Sequence, residues 1–120
     1  MTTSILYRWA DIEPEQMNSL TTRQYVTGTR TMLARLVLKK GAHVALHKHM
    51  HEQISHVVMG SLSFLLDGKD VTVKAGEILC IPPGVPHEVI ALEDSVALDI
   101  FNPQRQDWID GDDAYLRGGG

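Results

Sequence analysis

The feature that most constrains the fold is the dipeptide Asp67-Gly68 inside SLSFLLDGKDVTV, residues 61–73. A short apolar run lies on each side of it. A two-residue hairpin turn of type I′ needs positive φ at both central residues, and Asp-Gly is among the pairs that best accept this backbone. The sequence therefore predicts two antiparallel strands joined at this turn.

Similar short runs recur along the chain, with Gly and Pro between them. They are TMLARLVL at 31–38, EILCI at 77–81, HEVIAL at 87–92 and SVALDIF at 95–101, with the rigid loop PPGVP at 82–86. Many short strands at this spacing indicate an all-β sandwich or barrel. We expect one domain, comprising an irregular N-terminal arm (1–30) with at most one short strand or helical turn, a barrel (31–103) and a short C-terminal tail (104–120).

Charge and composition exclude several kinds of partner. The net charge of −4 and the pI near 5.8 provide no basic surface for a phosphate backbone, so we expect no nucleic acid. No apolar run approaches the roughly 20 residues that span a bilayer. The N-terminal stretch lacks the pattern of a signal peptide, and Cys80 is the single cysteine. We therefore expect a cytoplasmic protein without membrane contact.

The segment HKHMHEQ, residues 47–53, concentrates metal-binding side chains. On a continuous strand, His47, His49, His51 and Gln53 would share one face. Imidazole is a common transition-metal ligand, and a further ligand is expected from elsewhere, where His87 follows PPGVP. The alternative is a solvent-facing strand with incidental histidines. We expect His43 and His56 to be exposed or hydrogen-bonded, and the orientation of His51 stays open.

Two motifs in the chain resemble those of the cupin superfamily. The first is Gly41-x5-His47-x-His49-x3-Gln53-x6-Gly60, and the second is Gly76-x5-Pro82-x-Gly84-x2-His87. The resemblance implies a cupin jelly-roll barrel, a double-stranded β-helix. It also implies one divalent ion, namely Ni, Zn, Mn, Fe or Co, held by His47, His49, Gln53 and His87.

Gln53 stands where cupins usually have Glu, and Glu52 has the wrong parity to replace it. A neutral amide in place of a carboxylate leaves the metal site more positive by one charge. We take this to favour Lewis-acid chemistry on an anionic substrate over redox cycling.

The C-terminal part LDIFNPQR, residues 98–105, is similar to that of small single-domain cupins of the KdgF type. This resemblance implies a metal-dependent enzyme that opens 4,5-unsaturated monouronates, from pectin or alginate, to their linear keto forms. It assigns catalytic roles to Asp99, Phe101 and Arg105. Asp99 would act as general acid or base, and Arg105 would grip the substrate carboxylate through a bidentate fork.

Other interpretations remain open for these residues and for the protein. Asp99 can be read as a surface carboxylate, and Arg105 as a surface salt bridge with Asp107. Trp108 and Tyr115 are expected to pack the tail onto the barrel. The protein could instead be a cupin oxygenase, a polyketide cyclase or a non-catalytic module that binds metal or sugar. A homodimer is expected, because small barrels have exposed edge strands.

Overall fold

The computed structural model describes residues 3–118, and these contain ten β-strands and only short helical segments. The strands are β1 Glu15–Asn18, β2 Thr21–Thr27, β3 Met32–Leu38, β4 His43–His47, β5 Glu52–Met59, β6 Ser61–Leu66, β7 Lys69–Lys74, β8 Ile78–Ile81, β9 His87–Ala91 and β10 Ser95–Asn102. A 3-10 turn covers Trp9–Asp11, and the helices α1 and α2 cover Gln106–Ile109 and Ala114–Arg117. The all-β prediction is confirmed.

The strands form two antiparallel sheets that face each other. Six strands lie in the order β1-β2-β3-β10-β5-β8, and four lie in the order β4-β9-β6-β7. Each long strand alternates between buried and exposed positions, as β3 does with every second residue buried. The buried faces of the two sheets therefore form a common interior.

The Asp67-Gly68 hairpin forms as the sequence predicts. Leu66 pairs with Lys69, and the turn residues have φ values of 47° at Asp67 and 84° at Gly68. Both values lie in the left-handed region, which glycine adopts without steric cost and aspartate tolerates. The turn chemistry therefore sets the register between β6 and β7.

The N-terminal arm is more regular than we expected. It is irregular through residue 14 apart from the 3-10 turn, but it then forms the β1–β2 hairpin. Strand β2 pairs with β3 along its whole length, from Thr21 opposite Leu38 to Thr27 opposite Met32. The arm thus extends the larger sheet by two strands. Met1, Thr2, Gly119 and Gly120, at the ends of the predicted arm and tail, lie outside the described residues.

The interior is apolar at its centre and closed by the tail. The buried apolar residues include Leu36, Leu38, Val57, Leu62, Phe64, Val89 and Ala97 from the strands and Trp108 and Leu116 from the two helices. The tail is held at its far end by the Asn18 side chain, which donates to the Leu116 carbonyl. The two helices therefore cover one end of the barrel. No helix within residues 3–118 is long and apolar enough to cross a membrane.

Candidate metal centre

The histidine-rich segment is not one continuous strand, contrary to our expectation. Strand β4 ends at His47, and β5 begins at Glu52, with a short loop between them. His47 consequently lies in the four-stranded sheet, whereas Gln53 lies in the six-stranded sheet. His49 projects from the connecting loop. The shared-face argument was wrong about the local backbone, because the chain crosses from one sheet to the other within this segment.

Three of the predicted ligands nevertheless meet at one point. His47 is directly opposite His87 in the ladder between β4 and β9, and their ring centroids are 4.2 Å apart. Candidate ligand nitrogens of His47, His49 and His87 all lie within 4.8 Å of one another. Three imidazoles so close together match the ligand number of a metal site with open coordination positions.

Backbone carbonyls orient these rings. Nδ1 of His47 contacts the Ala45 carbonyl at 2.8 Å, and Nδ1 of His87 contacts the Val85 carbonyl at 2.9 Å. A ring nitrogen that faces a carbonyl must carry the proton, so Nε2 of each ring presents a lone pair. Such outer hydrogen bonds fix the tautomer of metal-binding histidines.

Gln53 lies beside the histidine cluster, with its amide oxygen aimed at His49. Its Oε1 lies 3.0 Å from Nε2 of His49, and its Nε2 donates to Ser55 Oγ at 3.0 Å. The Nδ1 of His49 contacts the His51 carbonyl at 3.2 Å. A neutral imidazole has one proton for these two acceptors. When that proton is on Nδ1, the lone pairs of His49 Nε2 and Gln53 Oε1 face each other. A cation bound by both atoms would stabilise this arrangement.

Burial keeps the clustered imidazoles neutral. Desolvation lowers the pKa of His47 to about 4 and that of His49 to about 3, with the positive charge of Arg105 contributing to both shifts. Desolvation also lowers the pKa of His87. The deprotonated imidazole is the form that binds metal. The donor set is therefore ready for a cation at neutral pH.

The other three histidines lie outside this cluster. The ring of His51 is buried against the tail, and desolvation lowers its pKa. His43 is hydrogen-bonded to Glu88, and His56 is half-buried on β5. The expectation for His43 and His56 agrees with these positions. The His51 ring packs edge-on against the His49 ring, with centroids 5.2 Å apart, but it is not one of the three clustered imidazoles.

Asp99 is buried inside the barrel and is not the surface carboxylate of the alternative interpretation. It is 6% exposed, and its Oδ1 has no hydrogen-bond partner within the described part of the chain. Desolvation raises its pKa to about 6, while a hydrogen bond with Ser55 and the charge of Arg105 oppose the rise. A carboxyl group with this pKa exchanges protons near neutral pH.

Arg105 is buried as well, but its fork is already engaged. Its Nε and Nη2 donate to the two carboxylate oxygens of Asp107 at 3.0 and 2.7 Å. Nη2 also donates to the Tyr115 hydroxyl at 2.6 Å. The alternative pair with Asp107 thus exists, although Arg105 is 1% exposed and does not lie on the surface. Asp107 therefore occupies the Nε–Nη2 edge of the fork that we expected to grip the substrate carboxylate.

Aromatic rings enclose the guanidinium group of Arg105. Its central carbon lies 4.9 Å from the Phe101 ring and 4.6 Å from the Trp108 ring. The ring of Tyr115 stacks on His47 with centroids 4.3 Å apart. Phe101, at 1% exposure, is an internal wall and not a residue of the cavity mouth. Packing of Trp108 and Tyr115 onto the barrel is as expected, but Tyr115 also reaches the candidate metal centre.

These groups line one cavity with about 440 Å³ of empty space, part of it open to solvent. Its polar lining consists of His47, Gln53, His87, Asp99, Arg105 and Tyr115. Its remaining lining is apolar and includes Leu36, Leu38, Val44, Leu62, Phe64 and Val89. A cavity of this kind, apolar with a few convergent polar groups, is typical of small-molecule sites.

Sequence reasoning missed one residue of the centre, Ser55, which bonds to Gln53 and Asp99. Ser55 lies two residues after Gln53 on β5 and therefore on the same face, and this spacing was the available signal. The pair of Arg105 with Asp107 was expected as an alternative, but at the surface and not with Arg105 buried. The burial of Arg105 depends on how the tail folds back, which no local pattern reveals.

Comparisons with known proteins agree with this architecture. A family model described as a cupin domain matches residues 34–101. The pectin degradation protein KdgF of Dickeya dadantii is 36% identical over 72 residues, which is 58% of this chain and 66% of that protein. The match therefore spans just under two thirds of that relative. The oxalate-binding protein of Thermotoga maritima is 28% identical over 100 residues, which is 72% of this chain and 83% of that protein.

Solved structures show the same fold. The structure of KdgF from Halomonas sp. superposes with a TM-score of 0.83 at 26% identity, covering 88% of this chain and 99% of that chain. An RmlC-like cupin from Shewanella frigidimarina gives a TM-score of 0.82 at 27% identity, covering 88% and 96%. The predicted jelly-roll barrel is thereby confirmed.

Proposed function

This chain belongs to the cupin domain family, and from that premise we propose that it is a metal-dependent enzyme that opens 4,5-unsaturated monouronates to their linear keto forms. One observation carries the proposal. Two histidines of the cluster, His47 and His87, line the same cavity as a buried carboxyl group of raised pKa and a buried arginine. The similarity to KdgF proteins supports the choice of reaction.

We assign the metal ligands to His47, His49, Gln53 and His87. The donor set fits a divalent ion, because the imidazoles are neutral and the amide oxygen faces them. All four ligands are uncharged, so they leave the full charge of the ion available. The ion would supply Lewis-acid polarisation of a substrate oxygen.

Asp99 is assigned the proton transfers of ring opening. When the hemiacetal hydroxyl loses its proton, an aldehyde C=O forms and the bond from that carbon to the ring oxygen breaks, so the ring oxygen leaves as an enolate. The keto form arises when the enolate carbon takes up a proton. A carboxyl group with a pKa of about 6 can perform both transfers near neutral pH. Its unpartnered Oδ1 leaves an acceptor position for the substrate.

Arg105 is assigned to the substrate carboxylate. Because Nε and Nη2 are engaged by Asp107, the remaining donor is Nη1. We therefore expect a single charge-assisted contact and not a bidentate one. Phe101 lies against the guanidinium and forms a wall of the cavity, so it would lie beside a substrate bound there.

The experiment that tests this function combines elemental analysis with a spectrophotometric assay. The purified protein is expected to contain one divalent ion and to abolish the ultraviolet absorbance of an unsaturated monouronate. Asp99→Asn should keep the metal and lose roughly 10²–10⁴-fold in turnover, as expected for a positioned acid–base group. Asp70→Asn, on an exposed position of β7, is the matched control and should retain full turnover. Wild-type turnover in Asp99→Asn would refute the assignment.

A non-catalytic binding role is the second candidate. The similarity to an oxalate-binding protein, over 83% of its length, favours it. A small dicarboxylate would meet the same buried Arg105 and the same histidine cluster. This role would be supported if calorimetry shows tight binding of oxalate and the protein converts no unsaturated uronate. Oxygen consumption on addition of Fe²⁺ would instead indicate an oxygenase.

We also propose that two copies pair through the outer face of the larger sheet. There the register aligns Ile100 with Ile54, and neighbouring β8 adds the exposed Ile78. A continuous apolar face of this kind is typical of interfaces. Light scattering after size exclusion should give a dimer for the wild type and a monomer for Ile100→Glu. A wild-type monomer would contradict the proposal.

A further inference from the structure

A single buried hydroxyl joins the cation site to the buried carboxylate. Ser55 is fully buried on β5, and its Oγ accepts a hydrogen bond of 3.0 Å from Nε2 of Gln53. Ser55 also lies directly opposite Asp99 in the ladder between β5 and β10. It is thus placed between a residue that faces the histidines and a residue that carries a charge.

The other sheet neighbours of Asp99 cannot donate a hydrogen bond to its carboxylate. On its other side, Asp99 is opposite Ala34 of β3, and its nearest same-face neighbours on β10 are Ala97 and Phe101. None of these three side chains can donate a hydrogen bond. Among these sheet neighbours, Ser55 is the one with a donor to offer, and its hydrogen bond acts on the Asp99 carboxylate.

The direction of these hydrogen bonds follows from counting protons. A serine hydroxyl has one proton, and a carboxylate can only accept. If Ser55 donates to Asp99, its oxygen is left as an acceptor towards Gln53. The Gln53 amide must then turn its NH2 group to Ser55, which turns its oxygen towards Nε2 of His49, where it lies at 3.0 Å.

We propose that Ser55 is a positioning residue that converts the negative charge of Asp99 into a fixed orientation of the Gln53 amide, with Oε1 presented to the cation. The inference rests on the proposed metal-binding function but not on the uronate reaction. Without Ser55, the amide loses the contact that distinguishes its oxygen from its nitrogen. Half of its orientations would then direct an NH2 group, a donor, at the ion.

The test measures Zn²⁺ affinity of the full chain by competition with a chromophoric chelator. Outer contacts of metal ligands typically contribute 10–100-fold in affinity. Ser55→Ala should therefore bind Zn²⁺ roughly 10–100-fold more weakly than the wild type. Ser63→Ala, on the half-buried outer position of β6, is the matched control and should bind as the wild type does. Wild-type affinity in Ser55→Ala would overturn the proposal.

A double-mutant cycle separates positioning from a general structural effect. If Ser55 acts through Gln53, then adding Ser55→Ala to Gln53→Ala should cause no further loss of Zn²⁺ affinity. Additive losses would refute the role of Ser55 as a positioning residue. The readout of this cycle is metal affinity and not turnover. If the protein does not act on the uronate but the effects of Ser55→Ala and Gln53→Ala on Zn²⁺ affinity are still non-additive, the proposed enzymatic function is refuted and this inference stands. A wild-type protein that binds no Zn²⁺, Ni²⁺ or Mn²⁺ would overturn both.

Discussion

His47 and His87 lie directly opposite each other in the ladder between β4 and β9, although they belong to separate motifs of the sequence. Side chains opposite each other in an antiparallel pair project to the same face, so both rings enter the barrel. The loop after β4 then returns His49 to within 5.1 Å of the His87 ring. Two strands and one loop thus build the cluster.

The first prediction concerns this cluster. His87→Ala should weaken Zn²⁺ binding by more than the roughly 10–100-fold that loss of an outer contact costs, because a direct ligand is removed. His56→Ala is the matched control, since His56 lies in the same motif, is half-buried on β5 and is not one of the clustered imidazoles. Chelator competition measures both variants. Equal losses in the two variants would show that the cluster is not the metal site.

The second prediction is that the metal-free protein loses stability as the pH falls from about 6.5 towards 4. The pKa of His47 is about 4 and that of His49 about 3 in the folded state, well below the ordinary histidine value of 6.5. In this window the unfolded chain therefore binds more protons than the folded one. Stability then rises with pH and is lost on acidification.

The contribution of Asp99 to stability has the opposite pH dependence in part of that pH range. Its folded pKa of about 6 lies above its ordinary value of 3.8, so the folded state binds the extra proton between those values. This contribution favours the folded state at the acidic end. Because several histidines are shifted downward and one carboxyl upward, the histidine effect should dominate. Urea titrations at pH 7 and 5 should show a larger difference in Asp99→Asn and a smaller one in His49→Asn.

The fold was predictable where the local sequence determines it. The Asp67-Gly68 turn needs only positive φ, and the glycines at 41 and 60 also have positive φ values, of 89° and 85°. The β1–β2 hairpin was missed because buried Arg23 and Gln24 interrupt any apolar alternation there. Their burial depends on distant partners, which a local pattern does not contain.

In the candidate site, too, some contacts follow from local sequence motifs and others depend on distant parts of the chain. The spacing of the two motifs predicted which residues approach one another. Strand pairing brings the motifs together, as it does for His47 and His87. The spacing did not predict that Arg105 would be buried while it pairs with Asp107, nor that Ser55 would lie opposite Asp99. The first depends on how the tail docks, and the second depends on the register between strands far apart in sequence.

The third prediction concerns Arg23, whose guanidinium is buried beneath the tail. Its Nη2 lies 3.0 Å from Asp113, and its central carbon is 4.6 Å from the Trp108 ring. Burial opposes the ionisation of Asp113, but hydrogen bonds from Arg117 and Arg23 hold its pKa below the ordinary value. Asp113→Ala leaves the buried guanidinium with only the half-exposed Glu15, 3.1 Å from Nη2, and should cost about 3 kcal/mol of unfolding free energy.

The control for Asp113 is the exposed pair of Arg8 and Asp11, which lie 3.9 Å apart. Surface pairs contribute about 0–1 kcal/mol, so Asp11→Ala should change little. Urea denaturation of the two variants measures both effects. A cost for Asp113→Ala no larger than that for Asp11→Ala would show that the tail is not held through Arg23.

The last prediction compares the two glycines that begin and end the first motif. Gly41 and Gly60 both have positive φ, so alanine at either position is strained by about 1–2 kcal/mol. Their surroundings differ. A Cβ on Gly41 would meet no described atom within 4 Å, whereas one on Gly60 would lie 2.8 Å from the Ser95 Cα and against the Asp94 carbonyl.

The obstruction at Gly60 is backbone, which cannot turn aside as a flexible side chain would. It belongs to the start of β10, the strand that carries Asp99. Gly60→Ala should therefore cost clearly more than Gly41→Ala, by about 2 kcal/mol or more, because the strand must shift as well as the turn. Urea denaturation gives the two values directly. Equal costs would mean that positive φ alone explains Gly60 and that β10 has room to move.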